Sequence, residues 1–175
     1  MNLADAVDLL APAVLDATGS STWADLGCGD GIFTRALATR LAAGSTIHAM
    51  DRDRAALARM PAEHDGVSIT THRGDFTHGP WPFTSLDGVL MANSLHYVPD
   101  QVAFLRGCAS SLNAGASFLV VEYDTDAANR WVPYPVSRRQ LERVFRAADY
   151  RRVETLAARR SLYHRGGIYA ALVTP

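Results

Sequence analysis

Residues 24–34 read ADLGCGDGIFT, with Gly27, Gly29 and Gly31 at alternate positions behind the short apolar run TWADL. Glycine packs nothing and loses the most freedom on folding. Three in five positions therefore point to a backbone that bends sharply or passes close to another group. A strand that enters such a turn and leaves as a helix, here IFTRALATRLAAG closed by Gly44, is a unit of an open α/β sheet. In such sheets ligands sit beyond the carboxyl ends of the strands.

The rest of the chain repeats the alternation. Leu3, Val7, Leu10 and Val14 lie at helical spacing over residues 3–17. STIHAMD reads as a strand ending at Asp51, RDRAALARMP as a short helix closed by Pro61, and VSITTHRGD as a strand ending at Asp75. LDGVLMANS and ASFLVVEYD are nearly all apolar, as strands buried on both faces must be. Between them, DQVAFLRGCASSLNAG reads as a helix stopped by Gly115. After the aromatic, proline-bearing TDAANRWVPYP comes the helix SRRQLERVFRAAD, with Ser137 as N-cap, and then the strands YRRVETLAA and GGIYAALVTP. The pattern predicts an α/β fold with a mainly parallel sheet covered on both faces. Its 175 residues suit a single domain over 1–175.

Composition removes several chemistries. All 17 basic residues are arginine, so a lysine Schiff base, a P-loop Gly-Lys and a Tyr/Lys reductase pair are excluded. Two cysteines, Cys28 and Cys108, suggest neither a disulfide framework nor a metal cluster, and no metal is expected. No signal-peptide pattern and no run of roughly 18 apolar residues is present, so the expected setting is the cytoplasm, with no membrane partner. Charge is uneven: residues 125–175 hold ten of the seventeen arginines but four of the eighteen acids. That third either attracts an anionic partner or is a solvated helix face with its loops.

Asp51, ending the second strand, has the carboxylate needed to accept two ribose hydroxyls, which suggests an adenosine-containing cofactor. A dinucleotide fingerprint needs G-x-G-x-x-G, but Ile32 stands where the third glycine belongs. Asp25 and Asp30 would also repel a pyrophosphate, whereas a ligand carrying an ammonium and a sulfonium would welcome them.

Here the sequence resembles the class I, Rossmann-like S-adenosylmethionine-dependent methyltransferases, and within them the small-molecule branch that includes quinone-biosynthesis enzymes. The matching pieces are DLGCGDG (25–31), Asp51, GDF (74–76), DGVLMANSLHYV (87–98) and LNAGASFLVVEYD (112–124), in family order over residues 20–125. The resemblance implies a three-layer α/β/α sandwich on a seven-stranded, mostly parallel sheet whose last strand is antiparallel. It implies an N-terminal helix (1–18), a cofactor-binding half (20–125) and a substrate-side half (126–175).

The family roles carry over by position. Gly27, Cys28, Gly29 and Gly31 pass under the methionine and ribose, and Asp25 acts on the methionine ammonium, directly or through water. Asp51 holds the ribose diol and Arg52 covers the adenine. Asp75 accepts the adenine amine, with Phe76 beside it, and Asn93 lines the methyl-donor side.

An in-line displacement on a sulfonium needs orientation, exclusion of water and a place for the acceptor's proton. His96 is the candidate base, with a packing or orienting role as its rival. Tyr97, Tyr123 and Trp131 are candidate substrate-side residues, the last two as an aromatic wall or as packing. His48 reads as a strand residue; His64, His72, His78 and His164 read as loop or strand-end residues. NSLH stands at the end of strand four in place of an N-P-P-Y-type tetrapeptide, which disfavours methylation of base or glutamine amino groups. The expectation is a methyltransferase for a small-molecule acceptor, with nucleic acid an improbable partner and the oligomeric state open. The alternatives are an RNA or protein methyltransferase and a non-catalytic cofactor-binding or partner-activating module.

Overall fold

The computed structural model describes residues 1–13, 15, 19–159 and 167–175. Val14, His164, Arg160 and Arg165 lie outside the described residues. In chain order the elements are α1 (Leu3–Leu10), β1 (Thr22–Leu26), α2 (Ile32–Ala38), β2 (Thr46–Asp51), α3 (Arg54–Leu57), β3 (Glu63–His64) and β4 (Val67–Arg73). Then follow β5 (Leu86–Ala92), α4 (Gln101–Cys108), β6 (Leu112–Tyr123), α5 (Arg138–Ala147), β7 (Arg152–Arg159) and β8 (Ile168–Thr174).

The strands form one sheet in the order β3-β4-β2-β1-β5-β6-β8-β7. The pairings β4–β2, β2–β1, β1–β5 and β5–β6 are parallel, and β8 is antiparallel to both β6 and β7. The chain winds outward from β1 to β4, then returns to lay β5 on the other flank of β1. The gap beyond the ends of β1 and β5 is thus the topological switch point, where such sheets bind ligands.

Apolar density decides each strand's place. The central β1, β5 and β8 are buried almost throughout, while the edge strand β7 is mostly exposed or half-buried. On one face Leu26, Met91, Phe118 and Val120 pack with Leu105 of α4 and with Leu141 and Phe145 of α5. On the other, Trp23, Ile47, Leu90, Leu119 and Val121 pack with Leu9 and Leu10 of α1 and Leu37 of α2. Each large side chain removed from water contributes about 1.5–3 kcal/mol. Phe118, Phe145 and Tyr150 meet edge to face, with centroids 5.3–5.4 Å apart, which fixes α5 on the sheet.

Several expectations change. The helix expected over residues 3–17 ends at Leu10, and the one expected over 52–61 spans only Arg54–Leu57. The sheet has eight strands, because Asp65 and Gly66, both at positive φ, turn Glu63–His64 back on β4. The helix expected over 100–115 ends at Cys108, and Leu112 already belongs to β6, with a register shift opposite Leu86–Gly88. The helix expected over 32–44 tightens after Ala38 into i→i+3 bonds, Arg40 N–H to Leu37 C=O and Leu41 N–H to Ala38 C=O. Ser137 does cap α5, its Oγ accepting the Gln140 N–H at 3.4 Å.

Candidate functional site

The glycine turn is tied to the end of β2: the N–H groups of Gly27 and Cys28 both donate to Met50 C=O, at 2.8 and 3.1 Å. Gly27, Gly29 and Gly31 all have positive φ, at 80°, 53° and 78°. A Cβ on Gly27 would stand 2.7 Å from Ser94 Cβ, whereas one on Gly29 would meet nothing within 4 Å. The first glycine is there for close packing against the β5 loop, and the second leaves open space above the turn.

Two clefts flank the turn. A cleft of about 320 Å³ is lined by Gly27, Asp51, Arg52, Asp75, Phe76, Asn93, Ser94 and Tyr97, among others. A larger one, about 490 Å³, is lined by Asp5, Gly27, Cys28, Gly29, Asp30, Ile32, Phe33, Ala92, Asn93, Tyr123, Arg159 and Ile168, with Met1 at its edge. Gly27 and Asn93 line both, so one elongated ligand has a continuous path from the carboxylates of β2 and β4 to the apolar walls of α2, β6 and β8.

Asp51 accepts the Gly29 N–H with Oδ2 and the Asp53 N–H with Oδ1, each at 2.8 Å. A carboxylate has about four acceptor sites, so two remain for a ribose diol. Asp75 accepts from the Thr77 N–H at 3.0 Å and the Thr77 hydroxyl at 2.6 Å. Those bonds, the hydroxyl's foremost, hold its carboxyl below the ordinary range. Asn93 adopts φ 54°, a left-handed conformation that a non-glycine residue rarely takes, and its N–H donates to Val121 C=O at 2.7 Å.

Asp25 lies one layer below, fully buried and on neither cleft wall. Its Oδ2 accepts the Thr34 hydroxyl at 2.6 Å, while its Oδ1 has no partner. Burial pushes its carboxyl up to about 7; the Thr34 bond opposes this, and the nearby Asp51 charge adds to it. Burial also pushes the Cys28 thiol up, which keeps it neutral. Asn93 Oδ1 and Ser94 Oγ are likewise buried and unpartnered. The last two belong to residues lining the smaller cleft, and orphaned acceptors there fit a ligand rich in donors, such as an ammonium and ribose hydroxyls.

His96 sits on the 3-10 turn Leu95–Tyr97 and is buried, off both cleft walls. Glu122 of β6, fully buried, grips it twice: Oε2 lies 2.7 Å from Nδ1, and Oε1 accepts the His96 backbone N–H at 3.1 Å. Tyr97 lies against the smaller cleft rather than the larger. Tyr123 lines the larger cleft, but Trp131 is 68% exposed beneath the Arg130 guanidinium and lines neither. The structure therefore does not bring Trp131 into an aromatic wall with Tyr123. Gly31 caps α2, where a Cβ would run into the Met60 thioether.

Sequence reasoning missed two features. One is the Glu122 grip, signalled only by a lone acid inside the apolar run FLVVEYD. The other is the pair Asp5–Arg159, 3.1 Å apart across the larger cleft's edge, which no spacing in the chain foretells. The arginine-rich third is partly self-neutralised: Arg138, Arg139, Arg146 and Arg152 pair with Asp124, Asp126, Glu142 and Glu154. Among the described residues no three His, Cys, Asp or Glu side chains converge as a metal site, and no helix is long and apolar enough to cross a membrane.

Comparison with known proteins agrees with this fold. A family model described as a methyltransferase domain matches residues 24–115. The fold is similar to an S-adenosylmethionine-dependent methyltransferase from Mesorhizobium loti (18% identity, 99% of this chain and 100% of that one, TM-score 0.71). It is also similar to one from Archaeoglobus fulgidus (14% identity, 99% and 95%, TM-score 0.72). A third is an arsenic(III) S-adenosylmethionine methyltransferase from Chlamydomonas reinhardtii (15% identity, 97% and 72%, TM-score 0.70). No curated protein matches the sequence.

Proposed function

We propose, from the premise that this chain belongs to the methyltransferase domain family, that it is an S-adenosylmethionine-dependent methyltransferase acting on a small organic acceptor. The observation that carries this reading is the pair of clefts joined at Gly27 and Asn93, one edged by Asp51 and Asp75 and the other walled by Ile32, Phe33, Tyr123 and Ile168. The cofactor, when bound, supplies an electrophilic methyl group on a sulfonium.

The chain's residues do the rest. Asp51 and Asp75 fix the ribose and adenine, with Phe76 and Arg52 beside them. The Gly27–Gly31 turn lets the backbone come close to the methionine end, and Asn93 sets the boundary between donor and acceptor. Phe33, Tyr123 and Ile168 exclude water from the acceptor. The larger cleft's 490 Å³ suits a small molecule. The pairing of Arg138, Arg139, Arg146 and Arg152 with neighbouring carboxylates argues against a polyanion-binding face. Free, buried Cys28 and Cys108 fit a reducing cytoplasm.

His96 has two candidate roles. Its Nδ1 is committed to Glu122, which leaves Nε2 to take the acceptor's proton. Its burial supports the other role, orienting Tyr97, whose ring centroid lies 4.4 Å from its own. The test of the whole reading is incubation of the protein with S-adenosylmethionine and a metabolite extract, followed by mass spectrometry. A product heavier by one methylene (about 14 Da) is expected. Cofactor binding with no such product, or methyl label only on RNA or protein, would overturn the small-molecule reading.

A further inference from the structure

The mechanism above leaves one buried titratable group unexplained. Asp25 is fully buried, bonded to Thr34 through one oxygen and to nothing through the other. Among the described residues, the groups acting on it offer no positive charge: the Asp51 carboxylate from the end of β2, the Cys28 thiol from the turn, and the Thr34 hydroxyl from α2. On the β5 side its register partner is Leu90. A lone carboxylate in such a place is costly in its ionised form, and among the described residues no positively charged side chain acts on it. The turn directly above is where a cationic ligand would lie. We propose that Asp25 carries a proton in the free protein and releases it when the cationic cofactor settles over the turn, so that cofactor binding and proton release are coupled. Asp25 then acts as a buried counter-charge through the turn rather than as a contact.

The direction follows from linkage. Burial holds the carboxyl up to about 7 in the free protein, and an ammonium and a sulfonium overhead pull it down. Below that value the ligand must first expel the proton, so affinity falls as pH falls. For one proton with a midpoint near 7, the change between pH 8 and pH 6 is about tenfold. The cofactor's own amine titrates in the same region, with an ordinary value of about 7.7–8.0. Asp25→Asn keeps an acceptor for Thr34 and removes only the carboxyl, so comparison with it cancels the ligand's contribution.

The proposal rests on the turn being the cofactor's seat, and one experiment separates the two claims. S-Adenosylmethionine is titrated into the full chain by calorimetry at pH 6, 7 and 8, in buffers of different ionisation enthalpy. The wild type is expected to release about half a proton more than Asp25→Asn at pH 7, and its Kd relative to the variant should rise about tenfold from pH 8 to pH 6. Binding with equal proton counts in the two proteins would overturn the proposal and leave the seat intact. No binding at all by the wild type would overturn the seat. Should Asp25→Asn fail to fold, Thr34→Val serves instead. Loss of the hydroxyl bond should move the wild-type pH midpoint upward, and an unmoved midpoint would overturn the proposal.

Discussion

Gly27 and Gly29 stand two residues apart in one turn, both at positive φ, yet alanine at each should fail in a different way. At either position the left-handed backbone costs a non-glycine residue about 1–2 kcal/mol. At Gly27 a further term enters, because the new Cβ would lie 2.7 Å from Ser94 Cβ and 3.1 Å from a Phe76 ring carbon. Ser94 Cβ is fixed to backbone at the end of β5 and cannot swing aside. Overpacking of this kind costs about 1–3 kcal/mol. Gly27→Ala should therefore lose about 2–5 kcal/mol of stability. At Gly29 nothing lies within 4 Å, so Gly29→Ala should lose only the backbone term. Its methyl group would instead stand in the space assigned to the cofactor, and binding of S-adenosylhomocysteine should weaken at least tenfold. Urea denaturation and calorimetry on the two variants read both quantities. Equal destabilisation of the two, or Gly29→Ala with unchanged affinity, would refute the assignment of open space above Gly29 to the ligand.

Asp25→Asn should stabilise the free protein in a pH-dependent way. A carboxyl held at about 7 in the folded state against an ordinary 3.8 imposes a penalty that is absent below about pH 4 and grows as pH rises to 7. The variant should gain about 4 kcal/mol over wild type at pH 8 and less than about 1 kcal/mol at pH 4, which denaturation at the two pH values checks. If His96 takes the acceptor's proton, His96→Ala should lower kcat by about 10²–10⁴ while cofactor affinity holds. Near-normal kcat in His96→Asn, with raised KM, would leave His96 an orienting role. Glu122→Gln keeps the shape of the grip but removes its charge. It should lower kcat with KM little changed in the first case, and mainly raise KM in the second.

What was legible in the sequence followed from local constraints. β5 and most of β6 are nearly all apolar, Ser137 marks the start of α5, and the glycines mark the turn, so the alternation could be read without tertiary knowledge. The short β3 was missed although Asp65-Gly66 is a hairpin signal, because two residues carry no periodicity. The start of β6 was misread because Leu112–Gly115 continues the small, polar texture of Gly107–Ser111 at and just beyond the end of α4. In the site, strand-end acids and glycines were readable because the fold places strand ends at the ligand. The depth of a side chain was not. Nothing in NSLHYV says that His96 turns inward to Glu122 while Tyr97 turns out, and nothing in RWVPYP says that Trp131 stays in solvent. These outcomes are set by contacts 26 residues apart for His96 and Glu122, and 154 apart for Asp5 and Arg159.

The central claim is that the turn, Asp51 and Asp75 seat S-adenosylmethionine rather than a dinucleotide. Calorimetric titration of S-adenosylhomocysteine and of NAD into the wild type and Asp51→Ala tests it most directly. The account predicts binding of the first ligand with NAD much weaker, and a loss of about 1.5–3 kcal/mol in Asp51→Ala, the scale for charge-assisted hydrogen bonds to the ribose. Comparable affinity for NAD, or an Asp51→Ala variant that binds S-adenosylhomocysteine as tightly as the wild type, would contradict it.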